Sequence, residues 1–450
     1  MTLQDELSKQ LPQYSKFKLF HIQTKPTYIK SPIHFQPLKL EQVQTIKIRH
    51  LIQLIDEDDL IVLGIEIYIY IQMFGDRVEQ TIFISKCDTV GLTKLKFKVN
   101  DVIQVIINWL INYNLYDYKI KVKSGGKVYK PIDRNDKNND NDTIIAIKKL
   151  ITKLNSNPQF LQTLPYYNDN NNSTKISNDQ QKNLLTLPLK QTIKLCLFTK
   201  AANQYLYPYS SKNSFKHIIN GIQLLKWWLK TIDKTFTNWN CRLLIPGSDD
   251  LSTQKFLNDL NINQWKIGNI YGDNNDKELA IHSIPVYPDD PKGRFLEHLI
   301  VENRYHKLTI NQFYHELGFR QEFRLGNLVG LIGCKSNEID IIPPVNKEQQ
   351  ISSAAVILTI HQYKQLVNNL IKAESFTNKN DIQNLIREKI PNYLERLGNE
   401  DMIYHEIIGN KVETVVSTTT KVTPQVINTL TVKRKAPTDL TNLIKKKKKK

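Results

Sequence analysis

The sequence predicts a mixed α/β fold in which helices pack around a central sheet. Stretches rich in β-branched and aromatic residues predict strands at 60–74, 81–86, 119–123, 241–245, 279–287 and 338–342. Apolar residues at helical spacing predict helices at 102–113, 193–206, 215–236, 309–323, 359–374 and 379–397. Strands and helices that alternate in this way are typical of a sheet covered by helices. The 450 residues, 40% of them hydrophobic, suffice for one large domain or two ordinary ones.

The N-terminal part of the chain begins with a short helix and reaches the most apolar strand. Leu3, Leu7 and Leu11 recur at helical spacing, and no basic region precedes an apolar core, so this start is not a signal peptide. The stretch 60–74 contains Glu66 and Gln72 and is too short to cross a bilayer as a helix. Its β-branched and tyrosine-rich composition predicts a long buried strand. The chain is therefore expected to be soluble and intracellular.

Residues 131–190 interrupt the pattern of elements. The stretches 133–142 and 168–183 are rich in Asn, Asp and Lys and almost free of apolar residues, which predicts disorder. Between them, 143–154 has helical spacing. The interruption is either an insertion in one domain or a linker between two. Strands on both sides favour a single domain, 1–415, that carries a partly disordered insertion.

The charge of the chain points to an acidic partner. The net charge is +18, and residues 433–450 hold nine basic residues and one acid. Such a balance suits nucleic acid, an anionic membrane or a polyphosphate-bearing ligand. The basic clusters at 433–435 and 445–450 are separated by nine residues, which suits a bipartite nuclear localisation signal in a disordered tail, 416–450. The competing interpretation is a solvated tail that binds DNA or acidic surfaces associated with histones.

The stretch 288–295 combines clustered charges with a stiff backbone. Asp289, Asp290 and Lys292 lie in a frame formed by Pro288 and Pro291. Each proline fixes its own φ and biases the preceding residue away from the helical region, so Asp290 is expected to be extended. Such a loop can hold charge in a defined geometry. Taken alone, the stretch is better explained as a proline-rich surface turn with a local salt bridge.

Two further motifs suggest a ligand site. Trp227 and Trp228 are adjacent on a predicted helix, so their indoles point about 100° apart and one can line a groove while the other joins the core; a core role for both is the alternative. The residues 210–217 contain serines and two lysines before that helix, which suits a phosphate site at a helix N-terminus. Simple N-capping by Ser214 is the alternative.

The stretch 94–98 places three lysines in alternation, Lys94, Lys96 and Lys98. On an extended segment they form a cationic stripe that can hold phosphates or can simply be a solvated face. The four cysteines are scattered, so neither a zinc site nor a disulfide framework is indicated. The chain has no P-loop, no Rossmann GxGxxG, no HExxH and no [RQ]xxGx[GA] pyrophosphate loop.

Five motifs occur together in a recognisable order: SKCDT at 85–89, LCLFT at 195–199, SKNS at 211–214, KWW at 226–228 and PDDPK at 288–292. With them, the chain closely resembles the fungal-specific histone H3 acetyltransferases, from the N-terminal helix to about residue 410, without the Asn-rich stretches. The resemblance implies a fold like that of the CBP-type acetyltransferases, with a mixed sheet wrapped by helices and one insertion. It implies acetyl-CoA as cosubstrate, without a metal.

The resemblance also implies partners and site residues. The partners are histone H3–H4 and chaperones of the nucleosome-assembly-protein and anti-silencing-function types, in replication- and repair-linked chromatin assembly in the nucleus. The substrate is a core-domain lysine of H3 near the nucleosomal DNA entry, and tail lysines. At Asn100 the family has a basic residue, so Lys96 or Lys98 is expected to contact phosphate instead. The implied cofactor contacts are Cys87, Asp88, Thr89, Lys96, Phe97, Lys98, Val99, Asn100, Phe198, Ala202, His217, Ile218, Ile219 and Trp227.

Acetyl transfer needs a neutral lysine amine, whereas a free lysine with a pKa near ~10.4 is mostly protonated at neutral pH. Asp289 and Asp290 are expected to attract the acceptor, with Asp290 as candidate proton acceptor, although an ordinary aspartate is a weak base. Trp228 is expected to line the lysine channel, and Lys292 resembles the self-acetylated lysine of the family. Asp88 joins the catalytic group through cofactor binding or loop geometry.

Two other functions fit parts of the sequence. A non-catalytic nuclear protein that binds histones or DNA explains the basic charge and the tail, but not the five motifs in one order. A protein that binds acyl-CoA without transferring the acyl group differs only in lacking histone acetylation.

Overall fold

The computed structural model describes residues 2–33, 43–74, 77–122, 190–271, 278–320, 328–341, 355–399 and 403–412, together with 185, 187, 188 and 323. All of them fall in one compact unit, Met1–Val412. The predicted insertion and tail lie largely outside these residues, so their disorder, the helix at 143–154 and the localisation signal stay predictions.

Twelve strands within the described residues form one mixed sheet. Its main path runs β11-β1-β3-β4-β5-β6-β9-β7-β8, while β2 pairs with β3, β10 with β6 and β12 with β1. The β5–β6, β7–β8 and β1–β11 pairs are parallel and the others antiparallel. The strands are β1 Lys16–Thr24, β2 Thr27–Ile29, β3 Gln44–Asp56, β4 Ile61–Phe74, β5 Arg77–Thr89, β6 Lys190–Thr199, β7 Asn240–Leu244, β8 Trp265–Ile267, β9 Gly330–Lys335, β10 Ile339–Asp340, β11 Val356–Leu358 and β12 His405–Ile408.

Helices cover the sheet in separate groups. The α-helices are α1 Leu3–Ser8, α2 Val99–Ile111, α3 Gly221–Thr235, α4 Asp250–Gln254, α5 Pro291–Val301, α6 Ile310–Leu317, α7 Ile360–Lys364, α8 Lys379–Asn384 and α9 Ile390–Glu395. Helix α7 continues as a π-helix, Gln365–Ile371, and a second π-helix, Leu385–Lys389, joins α8 to α9. Several starts are capped as their sequences indicate: Asn220, Thr309 and Thr359 each form a capping box.

The two faces of the sheet carry different layers. Along β1, Leu19 belongs to the core beneath α1, α2 and α3, whereas Phe20 and Ile22 pack with the α7–α9 layer. Since side chains alternate along a strand, these two cores lie on opposite faces. Tyr68 and Tyr70 of β4 likewise alternate with the isoleucines of the first core, so they share the face of the second. The predicted strand 60–74 is confirmed as β4, and it separates the two layers.

The predicted helix 193–206 is wrong, because β6 occupies Lys190–Thr199. This strand is buried on both faces between β5 and β9. A continuous apolar run of this kind cannot be told from a buried helix by periodicity alone.

Two predicted strands are also wrong. At 279–287 there is a 3₁₀ helix, Ala280–His282, followed by a loop, with only an isolated bridge between Leu279 and Thr309. The apolar residues of that segment join a helical core instead of a sheet. Residues 119–122 come directly after a 3₁₀ helix, Leu115–Tyr118, and at Lys119 the backbone takes a left-handed turn with a φ of 51°. Strands β1, β3 and β9 were not predicted from the sequence, nor were the shorter strands β2, β8, β11 and β12.

Candidate active site

A cavity of about 410 Å³ opens where β5 and β6 end, beside the loop after β6 and helix α3. Its wall is both aromatic and charged, so it can take a ligand with apolar and polar parts. The residues that line it are Ile84, Ser85, Lys86, Cys87, Leu197, Phe198, Lys200, Ala202, Gln204, Tyr205, Leu224, Trp228, Asp289 and Arg294.

A β-bulge interrupts β5 where the strand borders the cavity. Glu66 of β4 pairs with Lys86, but the next residue, Ile67, pairs with Ile84, so Ser85 is an extra residue in β5. A bulge twists the strand and redirects the side chains around it. The residues around the bulge, Ile84 to Cys87, all contribute to the cavity lining.

Asp290 and Lys292 form a buried ion pair at the start of α5. Asp290 is extended, with φ −82° and ψ 122°, as expected for a residue before proline, and Pro291 is the first residue of the helix. One carboxylate oxygen of Asp290 accepts the backbone N–H of Lys292 at 3.0 Å, and the other accepts its ammonium. The two side chains are 0% and 6% exposed, so the predicted surface turn is wrong and the pair belongs to the interior.

An aromatic cluster lies beneath this pair. The ring of Tyr287 stacks on Phe83 with centroids 4.5 Å apart and contacts Tyr70 at 5.1 Å. The Lys292 ammonium lies 5.9 Å from the centroid of the Tyr287 ring. Burial raises the pKa of Tyr287, so its phenol is neutral near neutral pH. The ion pair therefore sits in surroundings of low polarity, where charges interact strongly.

Asp289 is oriented differently from its neighbour. Its φ of 59° lies in the left-handed region, and its side chain is 58% exposed and lines the cavity. The Lys86 ammonium lies 3.2 Å from its carboxylate. Of the two adjacent aspartates, Asp290 is therefore buried and Asp289 faces solvent.

Asp88 anchors the loop that follows β6. One oxygen accepts the backbone N–H groups of Tyr205 at 2.8 Å, Leu206 at 2.9 Å and Tyr207 at 3.4 Å. The other accepts the Lys216 ammonium at 2.6 Å, and both side chains of this pair are 4% exposed. Since Ala202, Gln204 and Tyr205 line the cavity, Asp88 shapes its wall from behind.

The prediction that residues 210–217 lie at a helix N-terminus and form a phosphate site there is wrong. Helix α3 begins at Gly221 behind Asn220, whereas Ser210–Lys212 forms a 3₁₀ helix and Ser214 caps nothing. The Lys216 ammonium binds the Ser210 hydroxyl at 2.7 Å and the Thr89 carbonyl at 2.8 Å in addition to Asp88. This lysine is therefore a buried structural cation and not a surface phosphate ligand.

The two adjacent tryptophans of α3 point in different directions, as adjacent positions of a helix do. Trp228 is 5% exposed and both joins the core and lines the cavity. Trp227 is partly buried against the same core and does not line the cavity. Their rings meet edge to face, with centroids 4.8 Å apart.

The structure brings only part of the predicted cofactor group to this cavity. Cys87, Phe198 and Ala202 line it. Lys94, Lys96 and Lys98 are exposed in alternation, while Leu95 and Phe97 between them pack on the core, as the predicted stripe requires. The predicted cofactor residues outside the lining are Asp88, Thr89, Lys96, Phe97, Lys98, Val99, Asn100, His217, Ile218, Ile219 and Trp227.

Sequence reasoning missed the cations that pair with the site's carboxylates. Lys86 and Lys216 belong to stretches singled out above, but nothing in their spacing indicates a partner 203 or 128 residues away, respectively. Arg294 and Tyr205 were also missed, although both line the cavity. Burial raises the pKa of Tyr205 to about 12, so it is a neutral hydrogen-bonding group. Its hydroxyl donates to the Lys200 carbonyl at 2.6 Å.

Cys87 is not suited to carry the acetyl group itself. Burial raises the pKa of its thiol, with a further contribution from Asp88. The thiolate is the nucleophilic form of cysteine, and it is scarce when the pKa is raised. Direct transfer between donor and acceptor is the chemistry that the cavity favours.

The described ranges contain neither a metal-binding cluster nor a membrane-spanning helix. No group of three or more His, Cys, Asp or Glu side chains there is arranged to hold a metal ion. No helix in the described part of the chain is long and apolar enough to cross a membrane.

Comparison with known proteins decides the family. The model of the KAT11-type histone acetyltransferase domain matches residues 3–392. The chain belongs to this family. It is a histone acetyltransferase, as the five motifs predicted, and acetyl-CoA is the donor that such a domain implies.

Individual relatives agree with the family match. The histone acetyltransferase RTT109 of Candida albicans is 40% identical over 375 residues, which cover 83% of this chain and 96% of the relative. Rtt109 of Schizosaccharomyces pombe is 24% identical over 228 residues, 46% of this chain and 58% of the relative. The crystal structure of Rtt109 from Aspergillus fumigatus superposes with a TM-score of 0.61 at 18% identity, covering 92% of this chain and all of that one. The predicted acetyltransferase fold is confirmed by this likeness.

Proposed function

We propose that this KAT11-type enzyme transfers the acetyl group of acetyl-CoA to lysines of histone H3, presented as H3–H4 by histone chaperones during replication- and repair-linked chromatin assembly. Both a core-domain lysine near the nucleosomal DNA entry and tail lysines are substrates. The observation that carries the proposal is the cavity at the ends of β5 and β6, whose wall includes Asp289 and Trp228; the buried Asp290–Lys292 pair follows Asp289 directly in the chain and lies outside the lining. A non-catalytic histone- or DNA-binding protein has no need of such a cavity.

The thioester is proposed to lie between Cys87, Phe198 and Ala202, with Trp228 lining the path of the acceptor lysine. The neutral amine attacks the thioester carbonyl, a nitrogen–carbon bond forms and the carbon–sulfur bond breaks. The amine proton passes to Asp290 and the thiolate of coenzyme A leaves, to be protonated by solvent. The phosphates are assigned to the exposed lysines Lys96 and Lys98 and to the segment at His217.

Lys292 is proposed to become acetylated by the enzyme itself. Acetylation replaces the ammonium with a neutral amide. Asp290, buried at 0% side-chain exposure, then loses its ion-pair partner while keeping the backbone N–H of its cap. The carboxylate oxygen that held the ammonium is then available to the proton of the acceptor amine. Self-acetylation thus prepares Asp290 for its role.

The enzymatic proposal predicts that labelled acetyl-CoA labels H3 in H3–H4, most strongly in a chaperone–histone complex. Autoradiography of the separated histones and mass mapping of acetylated lysines measure both the rate and the positions. Free H3 peptide, H3–H4 and chaperone–H3–H4 are compared at equal acceptor concentration. Label that appears only on H4, or on no histone in any complex, contradicts the proposal.

Lys292 is predicted to be acetylated in active protein, because it lies three residues after Asp289 of the cavity wall and its charge would otherwise need the Asp290 carboxylate. Peptide mass spectrometry after incubation with acetyl-CoA measures the occupancy. Lys230, which is exposed on α3, serves as the lysine control for non-specific chemical acetylation. Equal occupancy at the two lysines, or none at Lys292 in a turning-over enzyme, counts against self-acetylation.

The location is proposed to be the nucleus, with the basic tail engaging import receptors, DNA or acidic chaperone surfaces. The support is the charge of residues 433–450, nine basic residues against one acid. Contacts of this kind weaken as salt rises.

A further inference from the structure

The carboxylates of the candidate site are already paired with cations of the chain. Asp88 binds Lys216, Asp289 binds Lys86 and Asp290 binds Lys292. Each of these carboxylates therefore already holds a cation of the chain. Before Lys292 is modified, an acceptor ammonium meets no unpaired carboxylate among these three, so we look for another means of favouring its neutral form.

Further cations collect on the sheet face next to the cavity. We call Lys47, Arg49, Lys86, Lys364 and Lys372 the basic cluster. They come from β3, β5, α7 and the end of the π-helix that continues α7, and among the described residues the carboxylates that interact with Lys47 and Lys372 are Glu66 and Asp289. The Arg49 side chain has a buried Nε with no hydrogen-bond partner, and one oxygen of Glu66 also lacks one. The cluster therefore has an uncompensated excess of positive charge.

Direct contacts join the basic cluster to the reacting end of the cavity. Lys86 lines the cavity and holds Asp289. On the other side, the Lys47 ammonium lies 4.9 Å from the centroid of the Tyr70 ring, and Tyr70 contacts Tyr287, over which Lys292 lies. An acceptor amine that reaches this end of the cavity enters the field of the cluster.

We propose that the basic cluster promotes acetyl transfer by disfavouring the ammonium form of the acceptor lysine, so that the amine binds neutral and needs only a weak proton acceptor. The inference rests on the proposed acetyl transfer at this cavity. Cationic neighbours and partial desolvation both favour a neutral amine, and enzymes use them to activate lysine nucleophiles. Here the same means act on the lysine of the substrate.

Two lysines of the basic cluster, Lys47 and Lys372, have lowered pKa values in these surroundings. Desolvation lowers the pKa of Lys47 to about 7, and the neighbouring Arg49 contributes. Desolvation also lowers the pKa of Lys372, with Lys86 as the next cause. An acceptor ammonium placed beside them faces the same two effects. Besides the basic cluster, the charged and titratable groups that face this end are Glu66, Tyr68, Tyr70, Cys87, Asp88, Lys200, Tyr205, Lys216, Tyr287, Asp289, Asp290, Lys292, Arg294 and Tyr363.

The test replaces one cation of the cluster, Lys372→Gln, and follows kcat for an H3 peptide with both substrates saturating, from pH 6 to pH 10. The kcat profile reports protonation in the bound complex. Removing one cation is expected to lower kcat at pH 7 by about threefold to tenfold, with the loss fading at high pH, because one pKa unit is a tenfold change in neutral amine. The KM for the acceptor should fall, because an ammonium is repelled less.

An acceptor with an intrinsically less basic amine distinguishes this role from a structural one. A peptide with aminoethylcysteine in place of the acceptor lysine should restore most of the loss at pH 7. Lys230→Gln, the same change on the exposed side of α3, should leave the profile unaltered. A loss that is equal at every pH and not rescued, or an unchanged profile for Lys372→Gln, overturns the proposal. A wild-type enzyme that acetylates no acceptor would instead refute the proposed function.

Discussion

Asp88→Ala is expected to weaken acetyl-CoA binding by roughly 100-fold and to lower the free energy of unfolding by about 3–5 kcal/mol. The substitution removes the acceptor for three backbone N–H groups of the loop at 205–207. It also leaves the Lys216 ammonium, 4% exposed, without its counter-charge. A buried cation without a partner is costly, so the loop that carries the cavity wall should detach. Calorimetric titration with acetyl-CoA and chemical denaturation measure the two effects.

Two comparison variants separate the causes. Asp88→Ala with Lys216→Met removes both charges and should recover part of the stability while binding stays weak, because the loop amides still lack their acceptor. Glu338→Ala breaks an ion pair with Lys190 whose side chains are 48% and 58% exposed, and it should change neither quantity noticeably. Normal acetyl-CoA affinity in Asp88→Ala would show that the loop does not shape the cofactor site.

The sequence predicted the conformation correctly where residues close by in the chain determine it. The extended Asp290 follows from Pro291, and Thr309 and Thr359 cap helices whose apolar spacing was visible. The strand β4 is recognisable from its run of β-branched and tyrosine residues. In each of these places the relevant interactions span at most a few residues.

Sequence patterns failed where a distant segment decides the conformation. Strand β6 looks helical because burial on both faces removes its alternation. The bulge at Ser85 depends on the register with β4, and no residue type announces it. The ion pair of Asp88 joins residues 128 apart in the chain. The motifs that form the cavity could thus be recognised in the sequence, but the cations that neutralise its carboxylates could not.

Asp290→Asn is expected to lower kcat by roughly 100-fold with acetyl-CoA affinity almost unchanged, because loss of a general base typically costs that much or more. The asparagine keeps the side-chain oxygen that accepts the backbone N–H of Lys292, so α5 should still begin correctly. Its amide cannot accept the proton of the acceptor amine. Asp289→Asn changes a carboxylate that is 58% exposed and should have a smaller effect.

The result of Asp290→Asn is informative only when the role of Lys292 is separated from that of the base. In unmodified protein the substitution also leaves the Lys292 ammonium, 6% exposed, without its partner. Lys292→Gln removes that charge and imitates the acetylated side chain. If Asp290 is the proton acceptor, the loss of kcat persists when Asp290→Asn is made in the Lys292→Gln background, and the acidic limb of the pH profile changes. Full recovery of kcat in the double variant would mean that Asp290 serves only to neutralise Lys292.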